Sequence, residues 1–174
     1  NLGMMYMMGA TKLGLQLGIP YDDAKQIVRT WYRTFKNVGG FTKDAARIGE
    51  ARGYVKTILG RRARLNDQRF SYRMANRIVQ GGCADILKWK MVEINRWIEQ
   101  NHYDDQVQML LNIHDSLLIQ FHKESLHLIK DVKCIMEDVQ TEPFSLKVPF
   151  VVEYKEPADD WSIATYGLER EVMA

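Results

Sequence analysis

The stretch Met109-Leu110-Leu111-Asn112-Ile113-His114-Asp115-Ser116-Leu117-Leu118-Ile119-Gln120-Phe121 decides how the rest of the chain is read. Two apolar runs rich in strand formers flank a short polar centre, which is the pattern of a β-hairpin. The hairpin is expected over 107–121, with His114-Asp115 at its tip. A carboxylate between two buried strands sits on a rigid mount. Hard cations such as Mg²⁺ take oxygen ligands, often one or two protein carboxylates plus substrate phosphates. Asp-Ser is equally ordinary turn chemistry, so the triplet alone does not choose between a metal ligand and a plain turn. Its company has to decide.

Outward from the hairpin, helical and extended patterns alternate. A following helix places Leu126, Ile129, Val132, Met136 and Val139 on one side, and 148–154 then reads as a strand before a polar tail with Trp161. A long helix precedes the hairpin, from about 70 to 100, carrying Ile78, Val79, Ile86, Leu87, Met91, Ile94 and Trp97. Before it, 53–57 and 61–65 read as short extended segments around Gly60. Further upstream, 2–17 is helical in character. A second helix opens at Pro20 with Asp22-Asp23, acidic residues that suit a helix N-terminus. Its Ile27, Val28, Trp31, Tyr32 and Phe35 define a buried face. Gly39-Gly40 is expected to end that helix, and a short one then runs to Arg52, capped by Gly53. The fold class is α+β: helices first, then a small antiparallel sheet with helices packed on one face.

With 174 residues, the chain has enough length for one sizeable core or for two pieces of a larger enzyme. A formal charge of +2, with 26% charged residues, argues against a histone-like binder but leaves room for a local basic cleft. Cys83 and Cys134 form no CxxC, and the histidines lack zinc-type spacing. Reduced thiols and an intracellular setting are expected. No apolar run approaches the ~20 residues that span a bilayer, and no leader pattern is seen. The chain does not begin with Met and reads as a piece of a longer one.

Four features bear on chemistry. Asn76 and Gln80 lie four apart on the long helix, so both amides share a face. Amides can donate to the purine N3 and pyrimidine O2 acceptors of the minor groove, or they can simply be solvated. Gly81-Gly82 follows, and each glycine in a helix costs roughly 1 kcal/mol relative to Ala. Close approach of another backbone or of nucleic acid would account for it, as would a helix break. Gly60-Arg61-Arg62-Ala63-Arg64 offers guanidiniums for phosphate, although short basic runs are often solvated faces. Tyr6 sits in Met4-Met5-Tyr6-Met7-Met8, where the ring could stack on a base or pack in a core. A P-loop, a Rossmann glycine fingerprint and a nucleophile elbow are all missing.

Taken in order, these motifs resemble the C-terminal end of a family A DNA polymerase, the group of bacterial polymerase I and many phage replicative polymerases. Asn1-Leu2-Gly3-Met4-Met5-Tyr6 resembles the end of its N-F-G-x-x-Y-G fingers motif. Gly53-Tyr54-Val55-Lys56-Thr57 with Gly60-Arg61-Arg62 resembles G-Y-V-x-T-x-x-G-R-R. Asn76 to Gly81, continuing to Ala84-Asp85-Ile86, resembles N-x-x-x-Q-G-x-x-A-D-I, and Ile113-His114-Asp115 resembles V-H-D.

The resemblance implies a helical fingers remnant (1–66) followed by the C-terminal half of a palm (67–174). It implies a DNA-directed DNA polymerase, a nucleotidyltransferase that adds deoxynucleotides to a primer 3′ end by two-metal phosphoryl transfer. Asp115 would be one of two metal-binding aspartates for Mg²⁺, with His114 supporting the turn. Tyr6 would stack beside the nascent base pair and Leu2 would lie against the incoming sugar. Asn76 and Gln80 would sense the minor groove, and Arg61 and Arg62 would lie near the DNA backbone. Primer-template DNA, deoxynucleoside triphosphates and the upstream remainder of the polymerase would be its partners, in the cytoplasm of a bacterial or phage-infected cell and without a membrane.

The chain departs from the family pattern at several positions. Leu2 stands where Phe or Tyr is usual, Met7 replaces a Gly, and Ser116 replaces a Glu. Tyr72 occupies an Arg position, with Arg73 beside it. The other palm aspartate and the Arg and Lys that clamp the triphosphate lie upstream in the family, so the chain alone is expected to be inactive. Without its neighbouring strand, the palm sheet would present an edge prone to self-association. Two other readings remain: a non-catalytic DNA-binding remnant of a decayed prophage polymerase gene, and a relative of single-subunit RNA polymerases, which also use His-Asp-Ser.

Overall fold

The computed structural model describes residues 2–139, 146 and 148–159. The chain divides into two compact units, one ending at Leu126 and the other beginning at His127.

The first unit opens with two short helices, α1 (Leu2–Met5) and α2 (Ala10–Leu17). The single helix expected over 2–17 is broken at Met7, whose φ of 62° lies in the left-handed region. There Met8 N–H returns to Gly3 O at 2.9 Å and Met7 N–H to Met4 O at 3.1 Å, closing a turn instead of extending the helix. An L-residue with a side chain pays roughly 1–2 kcal/mol for this conformation. Glycine adopts it freely, so Met7 carries a backbone cost that a glycine at this turn would not.

Helix α3 (Tyr21–Thr34) starts after Pro20 with Asp22 and Asp23 in its first turn, as expected. It stops at Phe35, and α4 (Lys36–Arg52) runs straight through Gly39-Gly40. The glycine pair is therefore not a terminator. Gly39 is buried because the Tyr32 ring lies against it, and a Cβ there would sit 3.0 Å from Tyr32 Cδ1. The face expected on α3 is only partly covered: Ala24 is fully buried, whereas Ile27 and Phe35 remain exposed. Trp31 packs edge-on against Tyr32 and tilted against Phe35.

Gly53, at φ 74°, caps α4 and leads into β1 (Tyr54–Lys56) and β2 (Arg62–Arg64). These strands are antiparallel with Val55 opposite Ala63. A 3₁₀ turn over Gln68–Arg73 runs into α5 (Met74–Asn101). Ala45 on α4, Val55 and Ala63 on the strands, and Met74 and Ala75 on α5 form one buried cluster. Completely burying a Met side chain such as Met74 is worth about 1.5–3 kcal/mol. Gly49 makes room for it, since a Cβ at that position would meet Met74 Cγ at 2.6 Å. Farther along α5, Ile86, Leu87, Ile94 and Ile98 are buried, while Val79 is exposed.

After α5 come β3 (Val107–Ile113) and β4 (Ser116–Phe121), antiparallel and joined by the two residues His114-Asp115. The ladder shifts between Met109 and Leu111, leaving Leu110 as a bulge. A second 3₁₀ turn, Lys123–Leu128, leads to α6 (Ile129–Glu137). Of the residues expected on the buried side, Val132 and Val139 are buried, but Leu126 is exposed and Leu128 is buried in its place. The three-residue period of the 3₁₀ turn shifts the face.

In the second unit the strand expected at 148–154 does not form, and those residues pair with no strand among the described residues. Pro149 lacks a donor for a ladder. Val152 N–H instead donates to Glu137 Oε1 at 2.8 Å, and Lys133 Nζ lies 5.6 Å from the centre of the Tyr154 ring. Trp161 lies outside the described residues. No helix among the described residues is long and apolar enough to cross a membrane.

Candidate nucleic-acid interface

The turn between β1 and β2 is seated on the first half of α5 by a connected set of hydrogen bonds. Thr57 Oγ1 donates to Asp85 Oδ2 at 2.5 Å and accepts from Arg61 N–H at 3.1 Å. Arg61 Nε donates to Asp85 Oδ1 at 2.6 Å, and its Nη2 donates to Gly81 O at 3.1 Å. Asp85 is buried, so both carboxylate oxygens have found donors where water cannot reach them. Gly60 closes the turn at φ 84°, which a side chain would resist.

Gly81-Gly82 is explained by this seat. A Cβ at Gly81 would stand 2.9 Å from Thr57 Cγ2, and one at Gly82 would stand 3.4 Å from Ile58 Cγ2. Of the readings open at those glycines, the approach of another segment of the chain is the one realised, and α5 continues unbroken. The joint also uses Arg61, whose guanidinium is held within the chain. Arg62 stacks over Tyr54, with Cζ 4.8 Å from the ring centre, and its side chain is exposed. Arg77 Nη1 donates to Arg64 O at 2.8 Å, tying α5 to β2 a second time.

Asn76 and Gln80 stand on the same helix immediately before the joint. Asn76 is half-buried and Gln80 exposed, and neither amide has a side-chain hydrogen bond among the described residues. Tyr6 lines an apolar cavity of about 290 Å³ together with Met5, Asn37, Val38, Phe41, Ala75 and Val79. Ala75 and Val79 directly precede Asn76 and Gln80, so the cavity borders the helix segment that carries the two amides. Leu2 opens α1.

At the hairpin tip, Ile113 pairs with Ser116, leaving His114 and Asp115 as the loop. His114 takes the positive φ of 56° that tight hairpins require. Ser116 Oγ donates to Ile113 O at 2.9 Å and Asn112 Nδ2 to Ser116 O at 3.2 Å, so polar side chains lock the turn. His114 and Asp115 are both exposed, and the Asp115 carboxylate has no partner among the described residues. No group of three or more His, Cys, Asp or Glu among the described residues is placed to hold a metal ion. Asp115 thus offers one ligand, short of the six or so oxygens a hard cation requires.

The structure gives three groups partners that the sequence did not indicate. Asp85 was legible only as part of a motif, although its position four residues after Gly81 put it on the face that meets the turn. Asp67 N-caps the 3₁₀ turn, accepting from Arg69 N–H at 2.9 Å, and Arg69 Nη2 lies 2.7 Å from Asp67 Oδ2. The Arg69 guanidinium, then that backbone N–H, holds the Asp67 carboxyl below the usual carboxylate range. Tyr32, whose hydroxyl donates to Met4 O at 3.1 Å, has its phenol pushed up by burial.

The described residues thus combine a largely helical part, whose longest helix carries two unpartnered amides, with two small antiparallel hairpins. Residues 1–162 match the model of DNA polymerase family A, and the chain belongs to that family. It is 30% identical to DNA polymerase DpoZ of Acinetobacter phage SH-Ab 15497, over 95% of this chain and 29% of that protein. It is 32% identical to the thermostable DNA polymerase I of Thermus aquaticus, over 92% of this chain and 20% of that protein. Among solved structures, the POL domain of Pol1 from M. smegmatis, in complex with DNA primer-template and dNTP, superimposes with a TM-score of 0.74 at 26% identity. That match covers 85% of this chain and 27% of the other. The chain thus spans between a fifth and a third of the length of these relatives.

Proposed function

We propose that this chain is the C-terminal fingers and palm portion of a DNA-directed DNA polymerase, with 1–66 belonging to the fingers and 67–174 to the palm. One observation carries the reading. Asn76 and Gln80 present unpartnered amides from a helix that the Thr57–Asp85–Arg61 joint holds still, in a chain of family A. Amides fixed in this way can test the width and acceptors of a minor groove at every base pair without reading sequence. The primer-template and dNTP in the M. smegmatis complex support DNA and deoxynucleotides as the ligands.

In the complete protein Asp115 would supply one carboxylate to a Mg²⁺ site, and a carboxylate from the rest of the polymerase would supply another. Metal ions held there would lower the cost of charge on the attacking and leaving oxygens. The chain's own residues position the substrate. Tyr6 stacks beside the nascent pair, Leu2 lies against the sugar, and His114 holds the turn that aims Asp115. Arg62 lies near the DNA backbone, whereas the contribution of Arg61 there passes through the joint it holds. By itself the chain, with one carboxylate, does not polymerise.

Primer extension tests the proposal. The complete protein, expressed with its upstream coding sequence, is expected to extend a primer with deoxynucleotides and to lose at least 10³-fold in rate on Asp115→Ala, a magnitude typical of charge-stabilising catalytic groups. Extension by the 174-residue chain alone that survives Asp115→Ala would overturn both the metal assignment and the need for upstream residues.

A further inference from the structure

Tyr32 ties together two of the helices that wall the cavity beside Tyr6. Its hydroxyl donates to Met4 O at 3.1 Å, crossing from α3 to α1. Its ring lies on α4 at Gly39, where a Cβ would stand 3.0 Å from Tyr32 Cδ1. Trp31 meets the same ring edge-on, with centroids 5.1 Å apart. Burial raises the phenol, so the hydroxyl stays neutral and keeps its proton to donate.

The acceptor is a strategic one. Met4 O also accepts the Met7 N–H at 3.1 Å, a bond that turns the chain back after α1. Met7 holds its left-handed φ of 62° there, a conformation that a side chain disfavours. Tyr6 lies between Met4 and Met7, and its ring lines the cavity with Asn37 and Val38 of α4 and with Val79 of α5. Gly39 directly follows Asn37-Val38. The two ends of the Tyr32 side chain therefore fall next to two walls of one cavity, and a stiff aromatic side chain sets the spacing between them.

We infer that Tyr32 is a positioning residue for Tyr6: its hydroxyl latches the end of α1 to α3 and so fixes where the Tyr6 ring stands for an incoming nucleotide. This inference rests on the proposed function, which puts Tyr6 beside the nascent pair, and adds a residue that acts on nucleotide binding without touching the nucleotide. Holding the ring in place beforehand spares binding the cost of ordering it. Tyr32→Phe leaves the ring on Gly39 and frees only Met4 O, so it separates the latch from the packing.

The test is single-nucleotide primer extension by the complete protein, expressed with its upstream coding sequence. Tyr32→Phe is expected to raise the KM for the correct deoxynucleotide about 5-fold, the worth of one net hydrogen bond, while kcat changes less than about 2-fold. Tyr21→Phe makes the same change at an exposed ring of α3 and leaves KM unchanged. In a Tyr6→Ala background Tyr32→Phe adds nothing further, because residues acting as a unit are not additive. Hydrogen exchange in the peptide covering 4–8 quickens in Tyr32→Phe, a readout independent of catalysis, and unchanged exchange in α5 checks that the variant folds. Unchanged exchange at 4–8 overturns the latch. An unchanged KM, or an equal rise in the Tyr6→Ala background, overturns its action through Tyr6. Failure of the wild-type complete protein to extend a primer overturns the proposed function itself, and this inference with it.

Discussion

The joint between the β1–β2 turn and α5 and the β3–β4 hairpin are both small antiparallel ribbons, yet they handle polar groups in opposite ways. In the joint, Thr57, Arg61, Asp85 and the Gly81 carbonyl satisfy one another, and Asp85 is buried. At the hairpin, His114 and Asp115 point into open space, and Leu110 and Leu111 are 47% and 51% exposed. One ribbon spends its polar residues on the fold and the other keeps them available. An arginine or aspartate in a family motif therefore cannot be assigned to ligand or scaffold by type. Its partners decide.

The comparison breaks most readily at Asp85. Asp85→Ala leaves Thr57 and Arg61 without their acceptor, and hydrogen bonds to a charged group are worth about 1.5–3 kcal/mol each. Because the Arg61 side chain is half exposed, a net loss of about 2–3 kcal/mol is expected, below that of a fully buried pair. Urea unfolding measures it, and a loss under about 0.5 kcal/mol, the range of ordinary surface changes, would show that the joint contributes little.

Next in size is a contrast between glycines. Gly81→Ala forces a Cβ against Thr57 and Arg61, so a loss of about 1–2 kcal/mol is expected despite the better helix propensity. Gly40→Ala has open space around it and should gain about 0.5–1 kcal/mol. Thermal melts that rank the two the other way would contradict the packing of the turn on α5.

At the hairpin, Asp115→Asn is expected to leave the stability of the chain within about 0.5 kcal/mol, since nothing described leans on that carboxylate. A larger loss in the same melts would move Asp115 from the available class to the structural one.

The smallest effect concerns acid. The folded Asp67 carboxyl is held below its ordinary value. Its contribution to stability is therefore complete above the unfolded carboxylate value and disappears as pH falls through the lowered folded value. Across that acid range the melting temperature of the wild-type chain should fall slightly more steeply than that of Asp67→Asn, which keeps the cap and loses the charge. Parallel curves would show that the Asp67–Arg69 pair adds nothing, as exposed pairs often do.

Much of this was legible in the residues themselves. The apolar, strand-forming runs on either side of His114-Asp115 placed the hairpin with that pair at its tip, because strand propensity and turn chemistry are local properties. Gly53 as a helix cap and the long helix after Phe70 were legible for the same reason. The ordered motifs carried the family. The break at Met7 and the end of α3 at Phe35 were not legible, since neither position carries Gly or Pro. The strand expected at 148–154 failed because a strand exists only by virtue of a neighbour, and sequence does not supply one.

What the tertiary structure alone decided is which polar groups are free. Thr57 and Asp85 are 28 residues apart and Arg61 and Asp85 24, so no local pattern couples them. The same contacts explain Gly81-Gly82, whose cost in helix propensity is set against room for the turn. Arg61 and Arg62 stand side by side in the sequence. One is consumed by a buried carboxylate 24 residues away and the other lies exposed over the Tyr54 ring, and that difference arises only when separate segments are folded together.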